Sequence, residues 1–579
     1  MKLLAALEIQ NQPLPDSAAV REVFLVCGFT PLHLKTFLTA HLRLFFPNDR
    51  IEIQTGLYGD LAGSLERVPP SSRSTVCVLV EWSDLDPRLG IRALGGWRST
   101  DIPEIVESAR HQSARLAHLI QHLAENVSIC VSTPTLPLPP MFTTPGGQVQ
   151  KYECELRAIV TSWALSLSAD ARVRLLSTQR LDELSPPAKR FDPKAEISCG
   201  FPYSLEHASS LAELMATLVV NLPPKKGLII DLDDTLWAGI LGEIGVDGIS
   251  WDIAGHAHMH GLFQQFLASL ASAGVLLAVA SKNDPALVEE ALARRDILLP
   301  RERIFPVEAH WGPKSASVER ILKTWNIAPQ DVVFIDDSPM EVAEVHAAFP
   351  SVECLVFPKN DYQAIWDLLK RLRDSFGKDT ISREDEVRSR SLRNAEAFRN
   401  SIRAPGYGVD NFLRDAEAVI SFSLKADVRD NRAFELINKT NQFNLNGKHF
   451  SDSQWRSFFQ DPTVFLLTAE YEDKYGPLGK IAVVMGKTDG PTVHINAWVM
   501  SCRAFSRRIE HQCLRYLFKK LNADEILFDF QATPRNGPMQ NFLSELGGRA
   551  PVAGLPVRKA RFDAKAPALF HRIVEVRNV

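Results

Sequence analysis

Two aspartates, Asp231 and Asp233, stand two residues apart immediately after the apolar run at 228–230. In extended chain, residues so spaced point to the same side. A carboxylate pair there supplies the hard oxygen ligands that magnesium takes. One of the two can also attack phosphorus once a cation screens the charge of an anionic substrate. Further polar groups follow in order. Ser281 offers a hydroxyl to a phosphoryl oxygen, and Lys282 stands beside it. Lys314 follows Trp311-Gly312-Pro313 and offers an ammonium to nucleophile and phosphate alike. Asp336 and Asp337 form a second acidic pair. Taken singly, each has an ordinary reading: Asp-Asp-Thr after a strand is a common helix N-cap, and a lone Ser or Lys is structural or solvated. In this order they point to a phosphate-handling pocket that holds a cation.

The elements that must position these groups are legible as periodicity. Continuous apolar runs at 228–230, 275–280, 332–335 and 354–357 read as strands buried on both faces. Helical patterns at 259–272, 285–295, 315–325 and 341–348 lie between or beside them. Strand–helix alternation implies a parallel sheet wound with helices, whose ligands sit off the carboxyl ends of strands. The glycine-rich insert at 237–251 is short, which predicts a small flap and no large cap domain.

The whole chain has 579 residues, enough for about three or four domains at roughly 100–200 residues each. Hydrophobic residues make up 45% and charged residues 23%, an ordinary globular balance. A net charge of −4 argues against a strongly basic nucleic-acid binder. The eight cysteines are scattered, without a C-x-x-C pair or zinc spacing, so a reducing cytoplasmic setting is expected. Apolar runs fall far below the ~20 residues of a membrane span, and the first fifteen residues do not read as a signal peptide. Punctuation divides the chain into α/β blocks at 1–222 and 223–376, a charged helical connector at 377–400, and a block at 401–579.

Asp-x-Asp-x-Thr, then Ser, then Lys, then Asp-Asp resembles the haloacid-dehalogenase (HAD) phosphatase superfamily. The resemblance implies a HAD-like parallel-sheet Rossmannoid domain with a minimal cap. It makes Asp231 the nucleophile and Asp233 the general acid/base. Ser281, Lys282 and Lys314 would bind phosphate, and Asp231, Asp233 and Asp336 would hold Mg2+. The strings LIIDLDDTLWAGILGEIGVDGI, ASKND, WGPKS and FIDDSPMEV, with KTNQFNLNGKHFSDSQW, SCRAFSRRIEH and TPRNGPMQNFLSELGG further on, resemble the FkbH-like subfamily over roughly 222–550. That resemblance implies dephosphorylation of 1,3-bisphosphoglycerate and transfer of the glyceryl group to the phosphopantetheine thiol of an acyl carrier protein, for a polyketide-type pathway. An alternative is an N-acyltransferase/phosphatase acting on a phosphorylated sugar or amino-acid intermediate. No nucleic acid or membrane partner is implied.

Block 401–579 has strand patterns at 419–424, 464–471, 480–485, 493–500 and 525–530, and a basic loop before the helical pattern at 508–521. This layout is similar to GNAT-like α+β acyltransferases, where a helix N-terminus and loop amides hold an anionic cofactor arm. Cys502 stands beside Arg503 and Arg507, a setting that lowers a thiol pKa and suits a glyceryl acceptor. A buried small hydrophobe is the plainer reading of the same thiol. Asn441, Gln442, Asn444 and Asn536, with Arg503 and Arg507, are candidates for the acyl and phosphopantetheine contacts. Block 1–222 resembles an SGNH-hydrolase-like α/β sandwich. It carries Gly28-Phe29-Thr30 and Ser204-Leu205-Glu206-His207 where the family's Ser and acid–His pair would stand, so it is expected to be catalytically degenerate.

Overall fold

The computed structural model describes residues 1–68, 75–94, 96–378, 381, 385, 393, 409–425, 430–440, 442–474, 476–501, 504–505, 507–548 and 550–576. The chain forms two compact units, Met1–Pro223 and Pro224–Val579. No helix among the described residues is long and apolar enough to cross a membrane. The described cysteines are all free.

The first unit is built on five parallel strands: β1 (Val20–Cys27), β2 (Arg50–Thr55), β3 (Thr75–Leu79), β4 (Ser128–Ser132) and β5 (Val173–Leu175). They stand in the order β2-β1-β3-β4-β5. Strands β2 and β5 were not among the sequence expectations. Each lies at an edge of the sheet, and the burial of β2, with one buried residue in six, gives no continuous apolar run.

The second unit opens with another parallel sheet: β6 (Gly227–Ile230), β7 (Leu276–Ser281), β8 (Ile304–Ala309), β9 (Val332–Asp336) and β10 (Glu353–Val356), in the order β10-β9-β6-β7-β8. The chain winds outward from β6 through β7 to β8, then returns to the other side of β6 for β9 and β10. The switch point therefore lies between β6 and β9, where ligands of such sheets bind. Alternation inside β6 divides its side chains between two cores. Leu228 and Ile230 pack with Phe263, Leu267 and Leu368, whereas Ile229 packs with Val318, Ile321 and Trp325. Each such full burial stabilises by about 1.5–3 kcal/mol. Strand β8 escaped the sequence reading because Pro306 interrupts its run. Proline is tolerated there because β8 is an edge strand. The expected flap is a single short helix, Leu241–Gly248, broken at Gly245 by a left-handed φ of 73° that suits glycine.

A third sheet of eight strands occupies the rest of this unit and is mainly antiparallel, with Val464–Asp473, Gly476–Asp489 and Thr492–Met500 at its centre. Helix Ile509–Lys520 follows its central strand. Most of the connector expected at 377–400 falls outside the described residues. Within it, Lys378 bonds Asp385 at 2.8 Å.

The first unit also holds a buried polar chain off the carboxyl ends of β3 and β4. Tyr203 Oη and Thr135 Oγ1 donate to Glu81 Oε1 at 2.8 and 2.5 Å. His207, fully buried, meets Thr135 Oγ1 through Nε2 at 3.0 Å and Ser185 Oγ through Nδ1 at 2.9 Å. Both ring nitrogens are thus engaged inside the fold. Burial, with Arg190 nearby, holds the imidazole down at about 3. The unfolded chain takes up a proton near the ordinary value of 6.5. Stability from the neutral ring is therefore complete above that pH and is lost as pH falls toward 3. Glu81, raised by burial, works in the opposite direction. His207→Gln is expected to cost stability at pH 7.5 but to flatten the acid-induced loss of amide protection in helix Leu205–Val220. Hydrogen exchange between pH 7 and 5 checks this, and an unchanged slope would exclude the imidazole as its source.

Candidate active site

Strand β6 delivers its carboxylates through a sharp turn. Asp234 adopts a left-handed φ of 49°, which aspartate tolerates, and the chain then crosses to the flap. Asp231 is anchored by its amide to the Ile335 carbonyl of β9 at 2.9 Å. This bond sets Asp231 beside Asp336, the last residue of β9. Lys314 enters between them as the first residue of helix Lys314–Trp325. Its Nζ lies 2.9 Å from Asp231 Oδ1 and in contact with Asp336 Oδ2. All three side chains are buried: 6% exposed for Asp231, 4% for Lys314 and 0% for Asp336.

The electrostatics follow from two negative charges and one positive charge in a poorly solvated space. Burial pushes the Asp231 carboxyl up to about 7, with the Asp336 charge adding and Lys314 opposing. Burial also raises Asp336. Burial disfavours the Lys314 ammonium, but the two carboxylates outweigh it and hold that group above its ordinary value. A lysine at the positive end of a helix is otherwise misplaced, so the carboxylates are what keep it there.

The same trio leaves one negative charge uncompensated. Carboxylate oxygens of Asp231, Asp336 and Asp337 lie within 4.8 Å of one another, the metal-capable acidic group among the described residues. Asp231 Oδ1 is buried and accepts no aligned hydrogen bond. The ammonium is within ion-pairing distance of it but off the hydrogen-bond direction. An all-oxygen donor set with an open acceptor and net negative charge fits a hard divalent cation.

Asp233 faces a second set of partners. Its Oδ1 accepts from Trp237 Nε1 at 3.0 Å and from the Leu241 amide at 3.1 Å, both in the flap. Its Oδ2 accepts from Asn283 Nδ2 at 2.9 Å. Asp233 is outside the three-carboxylate cluster, where the sequence reading had placed it as a ligand; Asp337 stands in that cluster. Ser281 closes β7, is 4% exposed, and accepts from Asn283 at 3.1 Å. The Lys282 ammonium is paired with Glu341 at 2.8 Å.

Two residues were missed. Asn283 links Asp233 to Ser281. Lys359, just beyond β10, bridges Asp234 at 2.7 Å and Asp337 at 2.8 Å. Burial disfavours the Asp234 charge, but this ammonium and the Gly239 amide hold its carboxyl below the ordinary value. The signal for both was available, since each lies just past the carboxyl end of a parallel strand.

In the third sheet the candidates are dispersed. Asn441, Cys502 and Arg503 lie outside the described residues. Gln442 pairs reciprocally with Asn326 at 2.9 and 2.8 Å. Asn326 is the left-handed C-cap of the helix that Lys314 begins, so this amide ties the third sheet to the parallel-sheet region. Asn444 Nδ2 donates to the Thr440 carbonyl and its Oδ1 accepts two amides, from Asn446 and Gly447. Asn536 is fully buried. It donates to the carbonyls of Asn444 and Gln531 and accepts from Thr533 and Gln540. All four hydrogen-bonding positions of Asn536 are filled. The expectation that Gln442, Asn444 and Asn536 present amides to an acyl group is therefore revised: these side chains scaffold loops. Arg507 is 1% exposed, over the Tyr471 ring and 3.6 Å from Asp473. It points into the domain, where the basic-loop reading had placed it at a ligand.

No protein-family model matches the chain, and no curated protein matches it. Among solved structures it is similar to the N-terminal part of the protein BF1531 from Bacteroides fragilis, which contains a phosphatase domain complexed with Mg. The identity is 19%, over 66% of this chain and 100% of that one, with a TM-score of 0.51. At that identity the likeness shows a shared fold. An uncharacterised protein from Corynebacterium glutamicum is matched at 19% identity over 27% of this chain and 98% of its own, with a TM-score of 0.19 that carries no argument.

The charge imbalance has a measurable consequence. With metal chelated, Asp231→Asn removes one buried negative charge and leaves Lys314 and Asp336 as a neutral pair. The variant is expected to melt above the wild type at pH 8 and to lose that advantage as pH falls below about 7, where Asp231 is already protonated. Each kcal/mol corresponds to roughly 2–4 °C for a domain of 150–250 residues. Equal melting temperatures at pH 8 would show that Asp231 is not under electrostatic strain.

Proposed function

We propose that the second unit is a magnesium-dependent, HAD-type phosphatase. The observation that carries this reading is the Lys314 ammonium held between Asp231 and Asp336, with a third carboxylate, Asp337, close enough to share a cation. The neighbour from Bacteroides fragilis, described as a phosphatase domain complexed with Mg, supports it. Asp231, Asp336 and Asp337 would hold Mg2+, which when bound neutralises phosphate charge at the carboxylate cluster.

The residues divide the work. Asp231 attacks phosphorus, so that a carboxylate–phosphorus bond forms while the ester P–O bond breaks. Asp233 gives its proton to the departing oxygen. It then takes a proton from the water that hydrolyses the aspartyl-phosphate, which returns free phosphate and the original carboxylate. Lys314 keeps Asp231 oriented and offsets charge on the phosphoryl group. The Ser281 hydroxyl donates to a phosphoryl oxygen.

The finer reading is that the substrate is 1,3-bisphosphoglycerate and that the glyceryl group passes to a carrier-protein thiol. The motif strings support it, as does a third sheet in the same compact unit, tied through Gln442 to the helix of Lys314. A thiol, that of Cys502 or of the carrier, displaces phosphate from the acyl carbon and forms a thioester. The remaining phosphoester is the bond the carboxylate pocket cuts.

Asp231→Asn is expected to lower magnesium-dependent phosphate release by roughly 10³-fold or more. It should also abolish the acid-stable phosphoryl adduct that intact mass is expected to show on the wild type. Undiminished turnover would remove Asp231 as nucleophile.

A holo carrier protein incubated with enzyme, magnesium and 1,3-bisphosphoglycerate is expected to gain one glyceryl mass. Cys502→Ala should prevent the corresponding adduct on the enzyme, and its persistence would move the thioester elsewhere. Phosphate release without any carrier adduct would confine the activity to hydrolysis.

A further inference from the structure

The buried amide of Asn283 has no part in the chemistry above, yet it touches two groups that do. Asn283 is 2% exposed. Its Nδ2 donates to Asp233 Oδ2 at 2.9 Å and to Ser281 Oγ at 3.1 Å, using both amide hydrogens. We propose that Asn283 is a positioning residue that aligns the Asp233 acid and the Ser281 hydroxyl on one phosphoester. The inference rests on the phosphatase reading and deepens it.

Each hydrogen bond has a directional consequence. Ser281 Oγ spends an acceptor site on Asn283, which leaves its O–H to donate outward. A phosphoryl oxygen accepts only, so this is the polarity the site requires. On Asp233, Oδ1 already accepts two flap donors, Trp237 Nε1 and the Leu241 amide. Oδ2 accepts Asn283 alone. Oδ2 thus keeps an open position and is the atom from which a proton can pass to the leaving oxygen.

The amide is itself held still. The next residue, Asp284, caps helix Pro285–Leu292 through the amides of Ala286 at 2.8 Å and Leu287 at 3.2 Å. The backbone at 283 is therefore fixed by a helix start, and the side chain lies between two partners on neighbouring strand ends. The competing explanation is that Asn283 merely satisfies buried polar groups. The two differ in how a substitution depends on the leaving group. A good leaving group departs without protonation, whereas an alkoxide needs the acid.

The test compares Asn283→Ala with the wild type on p-nitrophenyl phosphate and on an alkyl phosphate such as 3-phosphoglycerate, with magnesium. A positioning role predicts that in single turnovers leaving-group release slows about 10- to 100-fold on the alkyl ester and stays close to wild type on the aryl ester, that breakdown of the shared aspartyl-phosphate slows alike for both, and that KM rises on both through Ser281. Asn283→Ser, which keeps one donor, should recover part of the loss, and it serves as the reporter if the alanine variant fails to fold. Equal slowing of leaving-group release from both esters, or none from either, would overturn the proposal. Absence of Asp231-dependent turnover by the wild type would instead refute the phosphatase reading and the inference with it.

Discussion

The second unit is organised around one interaction: a lysine ammonium buried between two carboxylates. Lys314 is the first residue of its helix, Asp231 follows β6 and Asp336 ends β9. Three separate segments must therefore arrive within about 3 Å of one point, far apart in sequence and brought close only by the winding of the sheet. The ion trio is no simple source of stability. Desolvating three charges costs more than an exposed pair would, and that burial raises both acids. Such a centre persists because rigid strands, packed on both faces, hold it in place.

That arrangement also explains the division of labour between the two aspartates of the β6 turn. Asp231 points to the switch point, toward Lys314 and the second acidic pair. Asp233, two residues on, is taken by the flap and by Asn283. The left-handed Asp234 lies between the turn and the flap, pinned by Lys359 and the Gly239 amide. One carboxylate is thus set in the buried charged centre, and the other among the neutral donors Trp237, Leu241 and Asn283. The same four-residue stretch supplies both environments, because the chain reverses immediately after it.

The third sheet follows a different logic. Asn444, Asn536 and Arg507 face inward. Asn444 and Asn536 hold two loops together, Gln442 spans to Asn326, and Arg507 lies against Tyr471 and Asp473. Polar residues in a motif are as readily loop architecture as ligand contacts, because an irregular segment must satisfy its own backbone groups. Only saturation of the donors and acceptors distinguishes the two, and sequence carries no record of saturation.

Much of the parallel sheet was legible in the chain. Strands buried on both faces leave continuous apolar runs, and the chemistry-bearing residues stand directly after them, so β6, β7, β9 and β10 and the order Asp231, Ser281, Lys314, Asp336 could be read locally. Edge strands β2, β5 and β8 could not, since partial exposure or a proline removes the run. Nor could the partners of Asp233, Lys282 and Lys359, because a long side chain reaches several angstroms in any direction and its choice depends on which distant segment lies there. Sequence determined which groups stand at the strand ends. Tertiary structure alone decided which of them share one desolvated space, because adjacency across a sheet is set by strand order and not by distance along the chain.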